Sequence, residues 1–206
     1  MIKIDKRGEP SGWAALRRKH PGLRYGNLEK APEGTAARIE LRRALVEEQL
    51  HLCCYCCGHI DETKAHNEHI RPRDKYPEES MDYRNIVASC ESPTSCGKKK
   101  SNEFDEGLFV SPLEPDCENH FVYYEDGEIV GLDERGKYTI DLLHLNSYQL
   151  RQARRATYEG CKQMSGENYQ YIVDYYLKPN DGPLPPYVNI IRYFDRQHYF
   201  NIDEKG

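Results

Sequence analysis

Four cysteines crowd into positions 53 to 57 in the segment "HLCCYCCGH", and Cys90 and Cys96 follow about 35 residues later. Cys53 and Cys56 have the Cys-x-x-Cys spacing, which turns both sulfurs to one side, so two such pairs can supply four thiolates to one tetrahedral zinc ion. The second pair, "CESPTSC", has a longer loop, but zinc has no electronic preference that forbids it. The spacing therefore predicts a structural zinc site at Cys53, Cys56, Cys90 and Cys96.

Two alternatives compete with this interpretation of the cysteines. Cys54 and Cys57 have the same spacing, but Cys53 with Cys56 is favoured because Cys57-Gly58 then continues the turn. A thiol oxidoreductase would need its Cys-x-x-Cys at the start of a helix in a βαβ unit, and no parallel-sheet pattern surrounds this one. Buried, unreactive thiols are expected at the remaining positions, Cys54, Cys57, Cys117 and Cys161.

A Glu-His pair, Glu68 and His69 in "NEHIRPR", lies between the two cysteine pairs. Phosphodiester hydrolysis needs a base to activate water and a divalent cation to stabilise the leaving oxygen and the added charge on phosphorus. Adjacent residues of a strand point to opposite faces, so both can serve one site only at a strand end, which Pro72 is placed to make. This position favours a hydrolytic site over a single structural histidine.

Local patterns predict the elements that must hold these residues. An amphipathic helix with Thr35 as its N-cap and apolar Ile39, Leu45, Val46 and Leu50 leads into the cysteines. The segment "AHNEHIRP" is a short strand, "DYRNIVASC" a helix start or turn, and residues 97–105 a short helix.

Later in the chain, the alternation around Asp126-Gly127 predicts a β-hairpin. "LNSYQLRQARRATYEGCKQM", with Asn146 or Ser147 as cap, and "NYQYIVDYYL" are helical.

The net charge of −5 conceals an uneven distribution. Residues 1–45 carry 11 basic and 5 acidic side chains, whereas residues 101–134 carry 11 acidic side chains and neither Lys nor Arg. A polyanion should therefore contact the first segment and the run from Lys98 to Lys100, and a protein partner the acidic segment; solvated surface is the alternative for both. The chain begins without a signal peptide, and no apolar run approaches the roughly 18 residues of a membrane span, so a cytoplasmic protein is expected.

The motifs "CCYC", "NEHIRP", "YRNIVASC" and "CGKKKSN" resemble those of the zinc-braced HNH endonucleases, over about residues 50–105. That resemblance implies an α+β protein with a ββα-metal core of two strands and a helix. The motifs together with "DGEI" and "TIDLLHLNSYQLRQAR" further resemble the HNH subunits (PtuB) of Septu antiphage systems, also found with retrons, which work beside an ABC-type ATPase.

The resemblance also implies roles for individual residues. His69 matches the general base, Glu68 a ligand of the catalytic divalent cation, and Asn85 the residue that orients the base or its loop. The family's last motif residue, His or Asn, falls on Gly97, which has no side chain; Asn102, or Asp105 one turn on, is the expected substitute as cation ligand. Lys98 and Lys100 are expected to contact phosphates.

The sequence therefore predicts a metal-dependent HNH endonuclease with structural Zn²⁺ and catalytic Mg²⁺ or Mn²⁺. It would cleave nucleic acid, with DNA favoured over RNA and the choice left open by the sequence, in an antiphage system with an ABC-type ATPase and no membrane association. A catalytically silent zinc module that binds nucleic acid or the ATPase is the alternative, and Gly97 favours it. Three regions are expected: a basic helical segment (1–49), the nuclease core (50–110), and a hairpin with a helical region (111–206).

Overall fold

The computed structural model describes residues 1–164, 169–178 and 182–200, so parts of the predicted C-terminal region lie outside the described residues. The elements are helices α1 (Ser11–Lys19) and α2 (Gly34–Glu48), strands β1 (Ala65–His69) and β2 (Ile86–Cys90), helix α3 (Cys96–Lys100), strands β3 (Phe121–Tyr123) and β4 (Ile129–Gly131), and helices α4 (Glu134–Leu143), α5 (Tyr148–Gln163), α6 (Tyr169–Ile172) and α7 (Val188–Arg196). A π-helical turn (Val173–Leu177) continues α6, and 3₁₀ turns lie at Tyr25–Lys30, Pro77–Glu79, Tyr83–Asn85 and Cys117–His120. The protein is thus a mixed helix and sheet structure.

Strands β1 and β2 form an antiparallel pair, with His69 opposite Ile86 and Ala65 opposite Cys90. The strand at residues 65–69 confirms the expectation for "AHNEHIRP". The expectation for "DYRNIVASC" was incomplete, because only Tyr83–Asn85 form a turn and the rest is β2. Every residue from Ile86 to Ser89 is buried, so β2 lacks the polar alternation that marks a half-exposed strand.

A buried glutamine takes the place of a third strand beside β2. Gln49 accepts a hydrogen bond from the Ala88 N–H at 2.7 Å and donates to the Ala88 carbonyl at 2.8 Å. The same Gln49 amide donates to the Leu52 carbonyl at 2.9 Å. The end of α2 is thereby connected to the middle of β2 and to the entrance of the cysteine segment.

Helix α2 covers β1 and β2, and its buried face agrees with the prediction in part. Leu45 and Val46 are buried as expected and Leu41 joins them, whereas Ile39 is 47% exposed. The N-cap of α2 is Glu33, whose side chain makes no capping hydrogen bond. Thr35 lies inside the helix and is not the N-cap. Leu50 lies beyond the helix in the left-handed region, at φ 51°. The predicted helix exists, but Ile39 lies outside its buried face and Leu50 outside the helix.

The predicted hairpin is confirmed as β3 and β4, joined by a turn in which Gly127 has φ +84°. A Cβ at this position would lie 2.0 Å from the carbonyl oxygen of Arg151 on α5, so the turn packs closely on that helix. Arg154, also on α5, is buried and donates to the carbonyls of Gly127 and Leu145 at 2.7 and 2.9 Å. These contacts fix the hairpin on the first turns of α5.

Buried side chains from all three predicted regions join one hydrophobic cluster, which includes Trp13, Tyr55 and Tyr158. The division at 49 and 110 therefore stays a prediction about how the chain is organised. Among the described residues, no helix is both long enough and apolar enough to span a membrane.

Candidate active site and metal centre

The four cysteines of the predicted metal site converge. Each of Cys53, Cys56, Cys90 and Cys96 offers its sulfur atom within 4.8 Å of the others. Four thiolates around one zinc at the usual bond length of 2.3 Å would stand about 3.8 Å apart, so the sulfurs are close enough together for one ion to reach all four with small adjustments. The cluster could hold a structural metal ion. Cys54 and Cys57 are buried but do not belong to it.

Backbone hydrogen bonds shape the cysteine turn, residues 53–58. The Cys53 N–H donates to the Gly58 carbonyl at 2.8 Å, and the Gly58 N–H donates to the Cys56 sulfur at 3.4 Å. On the other side, the Cys90 N–H donates to the Cys53 sulfur at 3.4 Å. Burial acts to raise the pKa of Cys53, but hydrogen bonds from the neighbouring cysteines outweigh it and hold the pKa well below its ordinary value. The same hydrogen bonds raise the pKa of Cys56 and Cys96, so without a metal Cys53 is the cysteine that favours the thiolate form that metals bind.

His69 ends β1 and points away from Glu68. Its Nε2 lies 2.9 Å from the Ser80 carbonyl, and its ring packs edge-on against Tyr25 with centroids 4.6 Å apart. A carbonyl can only accept, so Nε2 carries the hydrogen and Nδ1 is the acceptor of the neutral ring. Burial lowers the pKa of His69, which keeps the ring neutral near pH 7.

Glu68 lies on the opposite face of β1 and is buried. Its Oε1 accepts from Lys100 Nζ at 2.9 Å and from the Tyr55 hydroxyl at 3.2 Å, while Oε2 lies 3.3 Å from His66 Nε2. Burial acts to raise the pKa of Glu68, but the hydrogen bond from His66 and the charge of Lys100 outweigh burial and lower the pKa. Glu68 is therefore a carboxylate with one oxygen already paired with a cation.

Asn85 holds the loop that leaves β1. Its Oδ1 accepts from the Arg71 N–H at 2.8 Å, and its Nδ2 donates to the Arg71 carbonyl at 3.0 Å. The Ile70 N–H donates to the Asn85 carbonyl at 3.0 Å, which extends the strand pairing beyond His69. The Asn85 side chain hydrogen-bonds to backbone atoms of this loop and not to the imidazole itself, so it is placed to orient the loop after His69.

Two residues lie elsewhere than the sequence led us to expect. Lys100 is fully buried against Glu68 and also donates to the His69 carbonyl at 2.9 Å, so it is not a surface contact for phosphate. Asn102 is exposed and donates to Asp74 at 2.7 Å, which gives it a surface role rather than a place beside Glu68. Lys98 is half-exposed and paired with Glu91 at 2.9 Å.

The sequence analysis did not assign His66 to the site or predict that it lies against Gly97. A Cβ on Gly97 would lie 2.6 Å from Glu68 Oε2 and 2.7 Å from His66 Nε2, so the glycine lets these two side chains approach α3. His66 and Glu68 are two residues apart on β1 and therefore share one face. That alternation was the signal available in the sequence.

The fold and the site define a mixed helix and sheet protein in which the cysteine turn, the end of β2 and the start of α3 supply a four-cysteine cluster that could hold a metal. No family model matches the chain. It is 32% identical over 108 residues to the "Septu protein PtuB" of Bacillus thuringiensis, covering 52% of this chain and 41% of that protein. It is also 32% identical over 136 residues to the "Retron Vc95 putative HNH endonuclease" of Vibrio cholerae serotype O1 biovar El Tor, covering 57% of this chain and 65% of that protein.

The chain thus spans less than two thirds of the length of each of these curated relatives. The motifs indicated a resemblance to HNH proteins of Septu and retron defence systems. The names of these two relatives confirm that resemblance.

Proposed function

We propose that this protein is a metal-dependent HNH endonuclease that hydrolyses phosphodiester bonds in nucleic acid, DNA rather than RNA. The observation that carries the proposal is the neutral His69 at the end of β1, oriented by the Ser80 carbonyl and preceded in the strand by the buried carboxylate of Glu68. The four-cysteine cluster and the names of the two relatives support it.

In this proposal His69 is the general base. The Ser80 carbonyl fixes the ring through Nε2, and Nδ1 takes the proton from the attacking water. Asn85 is a positioning residue, since it holds the Arg71 backbone and with it the loop that leads to Ser80. A bound Mg²⁺ or Mn²⁺ would stabilise the charge that develops on the phosphate and the leaving oxygen. Glu68 would hold that ion, while zinc at the four cysteines would serve only the fold.

Basic side chains near His69 supply a surface for the phosphate backbone. The Arg73 guanidinium lies 5.6 Å from the ring of Tyr25, which itself contacts His69, and Arg73 is exposed. Arg24 reaches the same surface and donates to the Pro77 carbonyl at 2.9 Å. Two guanidinium groups on the side of the proposed base are suited to hold a polyanion there. Lys98 stays a proposed phosphate contact, in competition with Glu91.

The test is cleavage of labelled DNA and RNA under single-turnover conditions, with and without added Mg²⁺ or Mn²⁺. His69→Ala should lose about 10²–10⁴-fold in rate with unchanged zinc content and circular dichroism. Glu68→Ala should lose activity as well, and Asn85→Ala less than either. His59→Ala is the matched control, because His59 is exposed and outside the site. A wild-type rate for His69→Ala would refute the assignment.

A silent binding module is the second candidate, and the ion pair between Lys100 and Glu68 favours it because a protein cation already neutralises this carboxylate. Nucleic-acid binding without cleavage under any divalent cation would support that alternative.

We also propose that the protein acts in an antiphage system beside an ABC-type ATPase, as its resemblance to Septu subunits implies. The acidic segment 101–134 is the proposed contact surface. Co-expression with the candidate ATPase followed by size-exclusion chromatography tests this. Two proteins that never elute together would contradict it.

A further inference from the structure

We infer that His66, together with Glu68, holds the catalytic divalent cation, and that Gly97 keeps the position of that ion open. The inference rests on the proposed function and assigns a ligand that the motif comparison had not supplied. It replaces the substitution by Asn102 that the sequence suggested.

The first observation is the geometry of the two ligand atoms. His66 Nε2 and Glu68 Oε2 lie 3.3 Å apart. Adjacent ligands of an octahedral Mg²⁺, with bonds of 2.0–2.1 Å at right angles, stand about 2.9 Å apart. The imidazole and the carboxylate are therefore spaced as neighbouring ligands of one small cation with little adjustment. Lys100 and Tyr55 contact the other carboxylate oxygen, Oε1, and leave Oε2 to the ion.

The second observation is the close approach of Gly97 to these two atoms. The position of a Cβ on Gly97 is almost equidistant from the two, at 2.6 Å from Glu68 Oε2 and 2.7 Å from His66 Nε2. A side chain there would stand where both ligand atoms converge. The site therefore requires a glycine at position 97. Its histidine ligand comes instead from β1, two residues before Glu68.

The third observation concerns the other nitrogen of the ring. His66 Nδ1 is buried without a hydrogen bond, and the Glu91 carboxylate lies 3.5 Å from it. A histidine that binds a cation through Nε2 carries its hydrogen on Nδ1, and a carboxylate commonly accepts that hydrogen. Glu91 needs only a small movement to do so, and it is itself paired with Lys98 at 2.9 Å. Glu91 is therefore a positioning residue for His66.

The inference can be tested without measuring cleavage, by titrating Mn²⁺ into the zinc-loaded protein. The electron paramagnetic resonance signal of free Mn²⁺ reports how much of the ion is bound. Mn²⁺ prefers oxygen and nitrogen ligands, so it should leave the thiolates to zinc. The wild type should bind Mn²⁺ at one site. His66→Ala and Gly97→Ala should each abolish this binding, and Glu91→Gln should weaken it about tenfold. His59→Ala should bind as the wild type does. Zinc content and circular dichroism confirm that each variant is folded.

Two results would overturn the inference: a wild type that binds no Mn²⁺, or a His66→Ala variant that is folded and binds Mn²⁺ as tightly as the wild type. Failure of the proposed function would look different. Mn²⁺ binding that depends on His66 in a protein that cuts no nucleic acid would leave the cation site standing and remove the nuclease. Cleavage by a protein whose Mn²⁺ binding does not depend on His66 would support the nuclease and remove the proposed cation site.

Discussion

Single residues of the site show what sequence reasoning reached and what it missed. The cysteine spacing led to the four sulfurs that converge, because a tight turn fixes where two sulfurs point. Lys100 was placed at the surface because a run of three lysines ordinarily faces solvent. Its burial depends on Glu68, which lies 32 positions earlier in the chain, and no local pattern reports such a pairing.

The buried pair makes Lys100 important for stability. Lys100→Met would leave the Glu68 carboxylate without its cation, and breaking a buried ion pair by removing one partner costs about 3–5 kcal/mol. We expect the free energy of unfolding, measured by urea denaturation of the zinc-loaded protein without added Mg²⁺ or Mn²⁺, to fall by roughly that amount. Lys98→Met is the matched control, since its pair with Glu91 is half-exposed and such pairs contribute about 1 kcal/mol or less. Equal effects of the two substitutions would show that Lys100 does not stabilise Glu68.

Among the elements, those with a local signal were predicted best. The hairpin at Asp126-Gly127 and the helix after Ser147 appear where expected, since a glycine with positive φ and a helix start depend on neighbouring residues. Strand β2 was missed because tertiary packing buries both of its faces. Ile39 was assigned to the wrong face of α2 for the same reason, because the strands below the helix decide which residues are covered.

Strand β2 depends on Gln49, and this dependence can be tested. Gln49→Leu would leave the Ala88 N–H buried without a partner, at a cost of about 1–3 kcal/mol, whereas the Ala88 carbonyl would still accept from the Cys54 N–H at 3.1 Å. We expect a lower midpoint in urea and faster hydrogen exchange at Ala88. Gln149→Leu, on the exposed first turn of α5, is the control and should change neither. If the Ala88 amide stays protected in Gln49→Leu, the glutamine does not complete the edge of β2.

At the scale of the whole molecule, the composition suggested an acidic segment without cations, and folding changes that description. Cations from later helices pair with it: Arg135 with Glu114 at 2.8 Å, Arg196 with Glu118 at 2.7 Å, and Lys162 with Glu125 at 3.1 Å. Local counting of charges cannot show pairs that form only in the folded chain. A partner at this segment would meet a surface less negative than the sequence suggests.

A metal bound at the four-cysteine cluster should also stabilise the C-terminal part of the chain. The Tyr187 N–H donates to the Cys57 carbonyl at 2.7 Å, and Val188 at the start of α7 is buried against Cys57. Loss of the metal removes folding free energy that only the bound ion supplies, so the cysteine turn should loosen and release α7 with it. We expect Cys53→Ser to lose about one zinc per chain and to speed hydrogen exchange in α7, whereas Cys54→Ser should retain both zinc and protection.

Elemental analysis by mass spectrometry and hydrogen exchange of peptides covering residues 188–196 check the two parts of this prediction separately. Equal zinc loss from Cys53→Ser and Cys54→Ser would mean that the other register of the Cys-x-x-Cys pair binds the ion. Zinc loss from Cys53→Ser alone, with α7 still protected, would keep the metal site and contradict the coupling. In that case the contacts of α7 with β3, such as the hydrogen bond from Asn189 to the Tyr123 hydroxyl at 2.8 Å, would be enough to hold the helix, and the cysteine turn would fold as a separate unit.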